Sequence, residues 1–492
     1  MSAPAKALVT AGLRFAEEDL SAAELERRAA CTAAALEAAG IGDGDVVSIL
    51  LRNEPAYFDV MLACRLLGAY HCPINWHFKA DEAGYLLRDS GAKVLVSRPD
   101  LLEQIDGAVP AGMNVVSDAA GWREGRAPWR GTSRQPRGNM PYTSGTTGRP
   151  KGVRRQVATE AQRQLAAEMY RVALGIEPGM RGLLSAPLYH SAPNLYGMQV
   201  LLAGELLVLE PRFDAEATLA LIERHRLTNV YLVPTMFVRL LNLPQATRRR
   251  YDISSVRFVT SMGSPCPPDA KRRMIEWWGP VITESYASSE AGVNTFITSE
   301  EWLKRPGSAG RVLGEGTLKI LDDEGREVPP GTIGAIYVRQ PAYPDFTYVN
   351  DPAARTKLEC GGLWSVGDMG YLDEEGYLYV ADRKSDMVIS GGVNIYPAEI
   401  EAMLITMPGV ADCAVFGIPD PEFGEALAAA VQVSEEHSLD AEDVKAFLHK
   451  RISNYKVPKV VTFHESLPRE DSGKIFKRLL RDPYWSGAGR RI

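Results

Sequence analysis

Apolar residues recur at helical spacing over residues 20–40, 56–67 and 80–90. Short apolar runs at 45–51 and 92–97 have the length of buried strands. The same rhythm returns in runs at 182–186, 205–209, 230–233 and 256–260. Strands alternating with helices predict parallel sheets covered on both faces, so this large N-terminal part reads as α/β. Residues 103–139 are irregular and end in a Gly-, Arg- and Pro-rich loop. From about 314 to 382 the pattern changes to β-hairpins, with turns at 322–325 (Asp-Asp-Glu-Gly) and 373–376 (Asp-Glu-Glu-Gly). After Arg383 the chain reads helix (397–407), strand (410–416), strand (426–433), helix (441–452) and strand (459–463), a small α+β unit.

The 492 residues carry 45% hydrophobic and 24% charged side chains, a globular composition that excludes disorder and collagen-like repeats. A net charge of −7 gives no global reason to bind nucleic acid, and no nucleic-acid partner is expected. No apolar run approaches the ~20 residues of a membrane span, and the N-terminus lacks the core of a leader peptide. The six cysteines are scattered without a C-x-x-C pair, as expected of reduced thiols in a cytoplasmic protein. His71, Cys72 and His77 lie close together but match no zinc pattern, and core or surface roles are expected of them.

The most informative stretch is Tyr142-Thr143-Ser144-Gly145-Thr146-Thr147-Gly148-Arg149-Pro150-Lys151-Gly152. Its glycines let the backbone turn tightly and aim N–H groups at an anion. Thr143, Ser144, Thr146 and Thr147 add hydroxyl donors, and Lys151 adds a point charge. The spacing is not that of the G-x-x-x-x-G-K-[ST] loop.

This loop resembles the signature of the adenylate-forming superfamily of acyl-CoA synthetases, non-ribosomal adenylation domains and firefly-type luciferases. Further segments follow in that family's order over nearly the whole chain. Tyr286-Ala287-Ser288-Ser289-Glu290 resembles its Tyr-Gly-x-Thr-Glu segment. The resemblance implies that Tyr286 stacks on adenine, Ser289 keeps a hydroxyl there, and Glu290, with Thr146, holds the Mg²⁺ that bridges ATP phosphates. Gly263, Ser264 and Pro265 stand where the family lines adenine and the acyl pocket. Asp368 in Trp364-Ser365-Val366-Gly367-Asp368 matches the aspartate on the ribose hydroxyls, and Arg383 the arginine that also reaches ribose. Ser385 takes the hinge position, where many members carry Asp or Lys. Gly391-Gly392 resemble the loop that meets CoA during thioester formation, and Lys474, in Pro468-Arg469-Glu470-Asp471-Ser472-Gly473-Lys474, the adenylation lysine. His190, in Pro187-Leu188-Tyr189-His190, matches a histidine beside the acyl carboxylate and the CoA channel. No acid lies near it to pair with an amine, which disfavours an α-amino-acid substrate.

The resemblance implies an N-terminal adenylation domain over 1–384, with a β-barrel-like subdomain at about 314–382, and a small mobile C-terminal domain over 385–492. It implies a two-step carboxylic acid–CoA ligase using ATP and Mg²⁺, with Lys474, His190 and Glu290 as the chemical groups. Tyr196, Met198, Tyr231, Met236, Ser261, Met262, Gly263 and Val293 are the expected acyl-pocket residues and suggest an apolar fatty or aromatic acid. An amine or a carrier-protein thiol remains an alternative acceptor, although the 18 residues after Lys474 leave no room for a fused carrier domain. A non-catalytic nucleotide-binding module is the reading from a different class. Arg154-Arg155 read either as a solvated face or as contacts to CoA phosphates. The sequence leaves the oligomeric state open, a homodimer included.

Overall fold

The computed structural model describes residues 7–143, 149–264, 266–434, 437–469 and 475–486. The predicted alternation builds two sheets. The larger has seven strands in the order Ile282–Glu284, Phe258–Ser261, Asn229–Leu232, Arg181–Leu184, Leu206–Leu209, Gly12–Phe15 and Glu18–Leu20. All its pairs are parallel except the last, an N-terminal hairpin that the periodicity does not reveal because its strands are only 4 and 3 residues long. The second sheet is fully parallel, in the order Tyr70–Pro73, Val46–Ile49, Val94–Val96 and Asn114–Val116.

The helix Pro55–Leu67 is apolar around nearly its whole circumference because it lies between the two sheets within one continuous core. It ends at Gly68 with φ of 66°, where a Cβ would come within 2.5 Å of Asp43, so only glycine fits. The helix Glu160–Leu174 opens with a Thr159/Gln162 capping box, and Ser191–Ala203 begins directly after His190.

The β-rich region forms an antiparallel sheet of Thr317–Leu321, Gly334–Arg339, Leu363–Leu372, Leu378–Arg383 and the short Glu359–Cys360. Both expected turns are present, with Gly325 and Gly376 at φ of 77° and 80°. The turn at 384–386 leads from this sheet to the next. There Val393–Ile395, Val388–Ser390, Gly424–Val433 and Val410–Asp420 run antiparallel, and Val460–His464 joins Gly424–Val433 in parallel.

Both faces of that last sheet are covered, one around Ile400, Leu404, Val415 and Leu448, the other around Ala414, Phe416 and Ala428. Covering the second face is a helix, Lys477–Trp485, absent from the sequence reading. It is mostly polar and contains Pro483, so its periodicity is weak, and it docks through Leu480, Tyr484 and Trp485. No described helix is long and apolar enough to cross a membrane.

Candidate active site

The strands Tyr142–Thr143 and Lys151–Arg155, which flank the glycine-rich segment in the sequence, pair antiparallel. A Cβ on Gly152 would press on the Tyr142 ring at 2.8 Å, which explains the glycine after Lys151. Ser144, Gly145, Thr146, Thr147 and Gly148 lie outside the described residues. Lys151 pairs with Asp351 at 2.9 Å and lies over the Tyr348 ring.

Thr143 donates to Glu290 Oε1 at 2.9 Å, and the Tyr348 hydroxyl donates to the same oxygen at 3.1 Å. Burial, then the Glu290 carboxylate, keeps the Tyr348 hydroxyl protonated well above the ordinary tyrosine pKa. Glu290 Oε2 has no protein partner among the described residues. Arg155 fixes the backbone there, donating to the carbonyls of Ser289 and Glu290 at 2.8 Å each and of Pro344 at 3.1 Å. Its guanidinium lies over the Tyr343 ring. Arg154 donates to the Gly44 carbonyl and lies over Tyr70. Neither arginine is therefore a simple solvated face; both brace the protein's own backbone.

On the facing wall the Tyr286 hydroxyl donates to Asp368 Oδ2 at 2.7 Å, and Arg383 Nε stands 3.4 Å from Asp368 Oδ1. Asp368 and Arg383 are register partners on adjacent strands, so the sheet sets their spacing. Burial raises the Tyr286 pKa, and the Asp368 carboxylate adds to it. Gly263 has φ of 105° with open space beyond its Cα, leaving backbone exposed to the cavity. Beneath this wall Lys271 is fully buried, with Nζ 2.6 Å from Glu284 Oε2.

The nucleotide-side groups line one cavity of about 3020 Å³. Thr143, Lys151, His190, Gly263, Ser264, Tyr286, Ser289, Glu290, Asp368, Arg383 and Ser385 all face it. Ser289 also meets Ser191 at 2.9 Å, oxygen to oxygen. Lys474 and Pro265 lie outside the described residues, but Arg469, Ile475 and Lys477, which bracket Lys474, line the cavity. Burial opposes the charge on Lys477, yet Glu401, at 2.8 Å, with Asp382 and Asp386 holds its pKa above the usual lysine value. Gly391 and Gly392 form an exposed turn that does not line the cavity.

Of the expected acyl-pocket residues, Met198, Tyr231, Met262, Gly263 and Val293 reach the cavity. Tyr196, Ser261 and Met236 do not. The reason for Tyr196 is helical phase. Tyr196 and Val200 lie against Gly182 of the large sheet, while Leu195, Met198, Gln199 and Leu202 face the cavity. Ser261 ends a strand, and the alternation that turns Met262 outward turns Ser261 inward.

The sequence profile of AMP-binding enzymes matches residues 3–343, and that of the AMP-binding enzyme C-terminal domain matches 399–474. The chain belongs to the AMP-binding enzyme family. Among this AMP-binding enzyme's relatives, the feruloyl-CoA synthase of Amycolatopsis sp. is 35% identical over 466 residues, covering 94% of this chain and 93% of that protein. The indoleacetate–CoA ligase of Aromatoleum aromaticum is 36% identical over 483 residues, with the same coverage of 94% and 93%. In structure, o-succinylbenzoate CoA synthetase from Bacillus subtilis, solved with its acyl-adenylate, matches with a TM-score of 0.84 and 30% identity over 96% of each chain.

In this AMP-binding enzyme the donor set suits Mg²⁺ carried with ATP. A single carboxylate with one free oxygen is enough when phosphates supply the other ligands, and no cluster of three or more acidic, His or Cys ligands occurs among the described residues. Sequence reasoning missed Tyr348 and Asp351, which brace this corner from outside the motifs, and it named Arg155 without seeing that it braces Glu290. It gave His71 only a core or surface role, and the residue is buried. His71 lines the cavity and bonds Asn194, 123 residues away, a pairing that no local signal carries.

Proposed function

We propose that this AMP-binding enzyme is an ATP-dependent carboxylic acid–CoA ligase, an AMP-forming acid–thiol ligase acting on an apolar fatty or aromatic acid. In the first half-reaction a substrate carboxylate oxygen attacks the α-phosphorus of ATP, pyrophosphate leaves, and an acyl-adenylate forms. Tyr286 offers its ring to adenine, while Asp368 and Arg383 receive the ribose hydroxyls. Thr143, Lys151 and the hydroxyls of the glycine-rich segment hold the phosphates, and Lys474 stabilises charge that develops on the α-phosphate. Glu290, with Thr146, would hold Mg²⁺, which supplies charge neutralisation at the phosphates. His190 stands beside the carboxylate.

In the second half-reaction the CoA thiol attacks the acyl carbonyl and AMP leaves. Rotation of the small C-terminal domain (385–492) about Ser385 exchanges Lys474 for the Gly391-Gly392 turn. The described geometry supports this order of events, because the segments flanking Lys474 face the cavity while Gly391 and Gly392 stand away from it. A cytoplasmic setting is supported by the need for ATP and CoA and by six unpaired cysteines.

The observation that carries the reading is the convergence of Thr143, Glu290, Tyr286, Asp368, Arg383 and His190 on one cavity. The test is a panel of fatty and aromatic acids with ATP and Mg²⁺, with and without CoA, scoring AMP, pyrophosphate and thioester. Thioester formation that collapses in Lys474→Ala, with the fold intact by circular dichroism, is expected. Pyrophosphate release with no thioester would refute CoA as the acceptor, and wild-type adenylation by Lys474→Ala would refute the lysine's role.

A further inference from the structure

One face of the cavity is not explained by nucleotide chemistry. It lies where the helices Pro55–Leu67, Glu160–Leu174 and Ser191–Ala203 meet, and most of its walls are small or apolar, as at Met61, Ala166, Ala167, Leu195 and Met198. Arg65 opens onto this face, one helical turn beyond Met61. It is half-buried, and among the described residues it has neither an ion-pair nor a hydrogen-bond partner. The neighbouring arginines are tied down. Arg163 holds Glu160 at 2.7 Å and Gln135 at 2.8 Å, and Arg137 holds Asp43 at 2.8 Å. Burial first, and then the positive charge of Arg163, disfavours the charged form of Arg65. A half-buried guanidinium with no protein acceptor among the described residues leaves its N–H donors to water or to a ligand that fills the cavity and supplies an acceptor.

The second polar group here is His71, which is buried. Asn194 donates through Nδ2 to the Leu188 carbonyl at 3.0 Å, so its Oδ1 is the acceptor for His71 Nε2 at 3.1 Å. Burial pushes the His71 pKa down to about 4, so the ring is neutral at pH 7 and its Nδ1 offers a lone pair. Asn194 also touches the Met61 sulfur at 3.5 Å, which ties this pair to the helix that carries Arg65. A donor-only cation and a neutral acceptor therefore stand among mainly apolar walls, on which Gln162, Arg163 and Gln199 are the other polar groups. On the far side of Arg163 its helix reaches Tyr170, which meets Tyr343 beside Val293, so this face is continuous with the acyl side of the cavity.

We infer that the acid activated by this enzyme carries a second oxygen function, away from its reacting carboxylate, and that Arg65 receives it. A carboxylate or carbonyl oxygen would accept from Arg65 alone; a hydroxyl would also donate to His71 Nδ1. The inference rests on the ligase reading above and refines its substrate class. Arg65 is then a specificity residue, and a matched acid lacking the second oxygen leaves the guanidinium unsatisfied.

The experiment compares octanoate, 8-hydroxyoctanoate and octanedioate, and likewise cinnamate and 4-hydroxycinnamate, in wild type, Arg65→Leu and Arg65→Lys. The expected wild-type preference for an oxygenated acid over its plain counterpart is about ten- to a hundredfold in kcat/KM. In Arg65→Leu that ratio collapses towards unity, and Arg65→Lys retains part of it. A purely structural role would lower both acids together and leave the ratio unchanged, which overturns the inference. A rise in KM for CoA that vanishes with dephospho-CoA would assign the guanidinium to a CoA phosphate and also overturn it. If no acid yields AMP, the ligase reading fails, and titration calorimetry with octanedioate and octanoate decides the inference separately. Tighter octanedioate binding that is lost in Arg65→Leu upholds it; equal binding overturns it.

Discussion

Removing the Lys271 side chain should strand a buried charge. Its ammonium is fully buried, 2.6 Å from Glu284 and over the Trp302 ring, and Glu284 is itself only 9% exposed. At that distance the Coulomb attraction is about 6 kcal/mol with an effective dielectric near 20, most of it spent against desolvation. Lys271→Met leaves the carboxylate uncompensated, so the expected loss is about 3–5 kcal/mol. The double variant Lys271→Met/Glu284→Met removes both charges and should return to within about 1 kcal/mol of wild type. Urea unfolding of wild type, both singles and the double measures all of this. A single-variant loss below about 1 kcal/mol, or a double variant as unstable as the sum of the singles, would refute the reasoning.

Three other outcomes are expected. Arg155→Met abandons three carbonyl oxygens and should cost about 3–9 kcal/mol, at roughly 1–3 per unsatisfied acceptor, while raising KM for MgATP; a KM unchanged with stability lost would mean that Glu290 does not depend on this brace. His71, held neutral with a pKa of about 4 against an unfolded value near 6.5, contributes stability that is lost as pH falls from about 6.5 to 4, roughly 3 kcal/mol in all; His71→Gln should flatten that part of the curve in urea titrations. Of the six cysteines only Cys360 is not buried, and burial pushes the Cys72 thiol up to about 12, so brief iodoacetamide treatment of the native protein should label Cys360 alone by mass spectrometry.

The nucleotide side was legible in the sequence because its residues sit in contiguous segments whose chemistry is local. Asp368 can be read beside Gly367, and Glu290 four residues after Tyr286. The groups that hold those residues were not legible, because each comes from a distant element. Arg155 reaches Glu290 across 135 positions, and Tyr348 reaches it across 58. The parallel sheets followed from alternation alone, whereas the helix Lys477–Trp485 hid behind polar residues and an internal proline. On the acyl side both Tyr196 and Met198 of the helix Ser191–Ala203 were expected in the pocket, and of the two only Met198 lines the cavity. Which of Tyr196 and Met198 faces inward is decided by the close approach of Gly182, one sheet away.

The two sides of the cavity are built differently. Around Glu290 and Asp368 nearly every side chain is bound to another part of the chain, so a change at one position propagates to its neighbours. The three-helix face opposite consists of side chains such as Leu195, Met198 and Ala166, whose cavity-facing ends support little else. Mutational tolerance is therefore divided across the enzyme's interior. Its choice of acid is free to drift through single substitutions on helix faces, while the apparatus that activates that acid stays constrained to a narrow set of sequences.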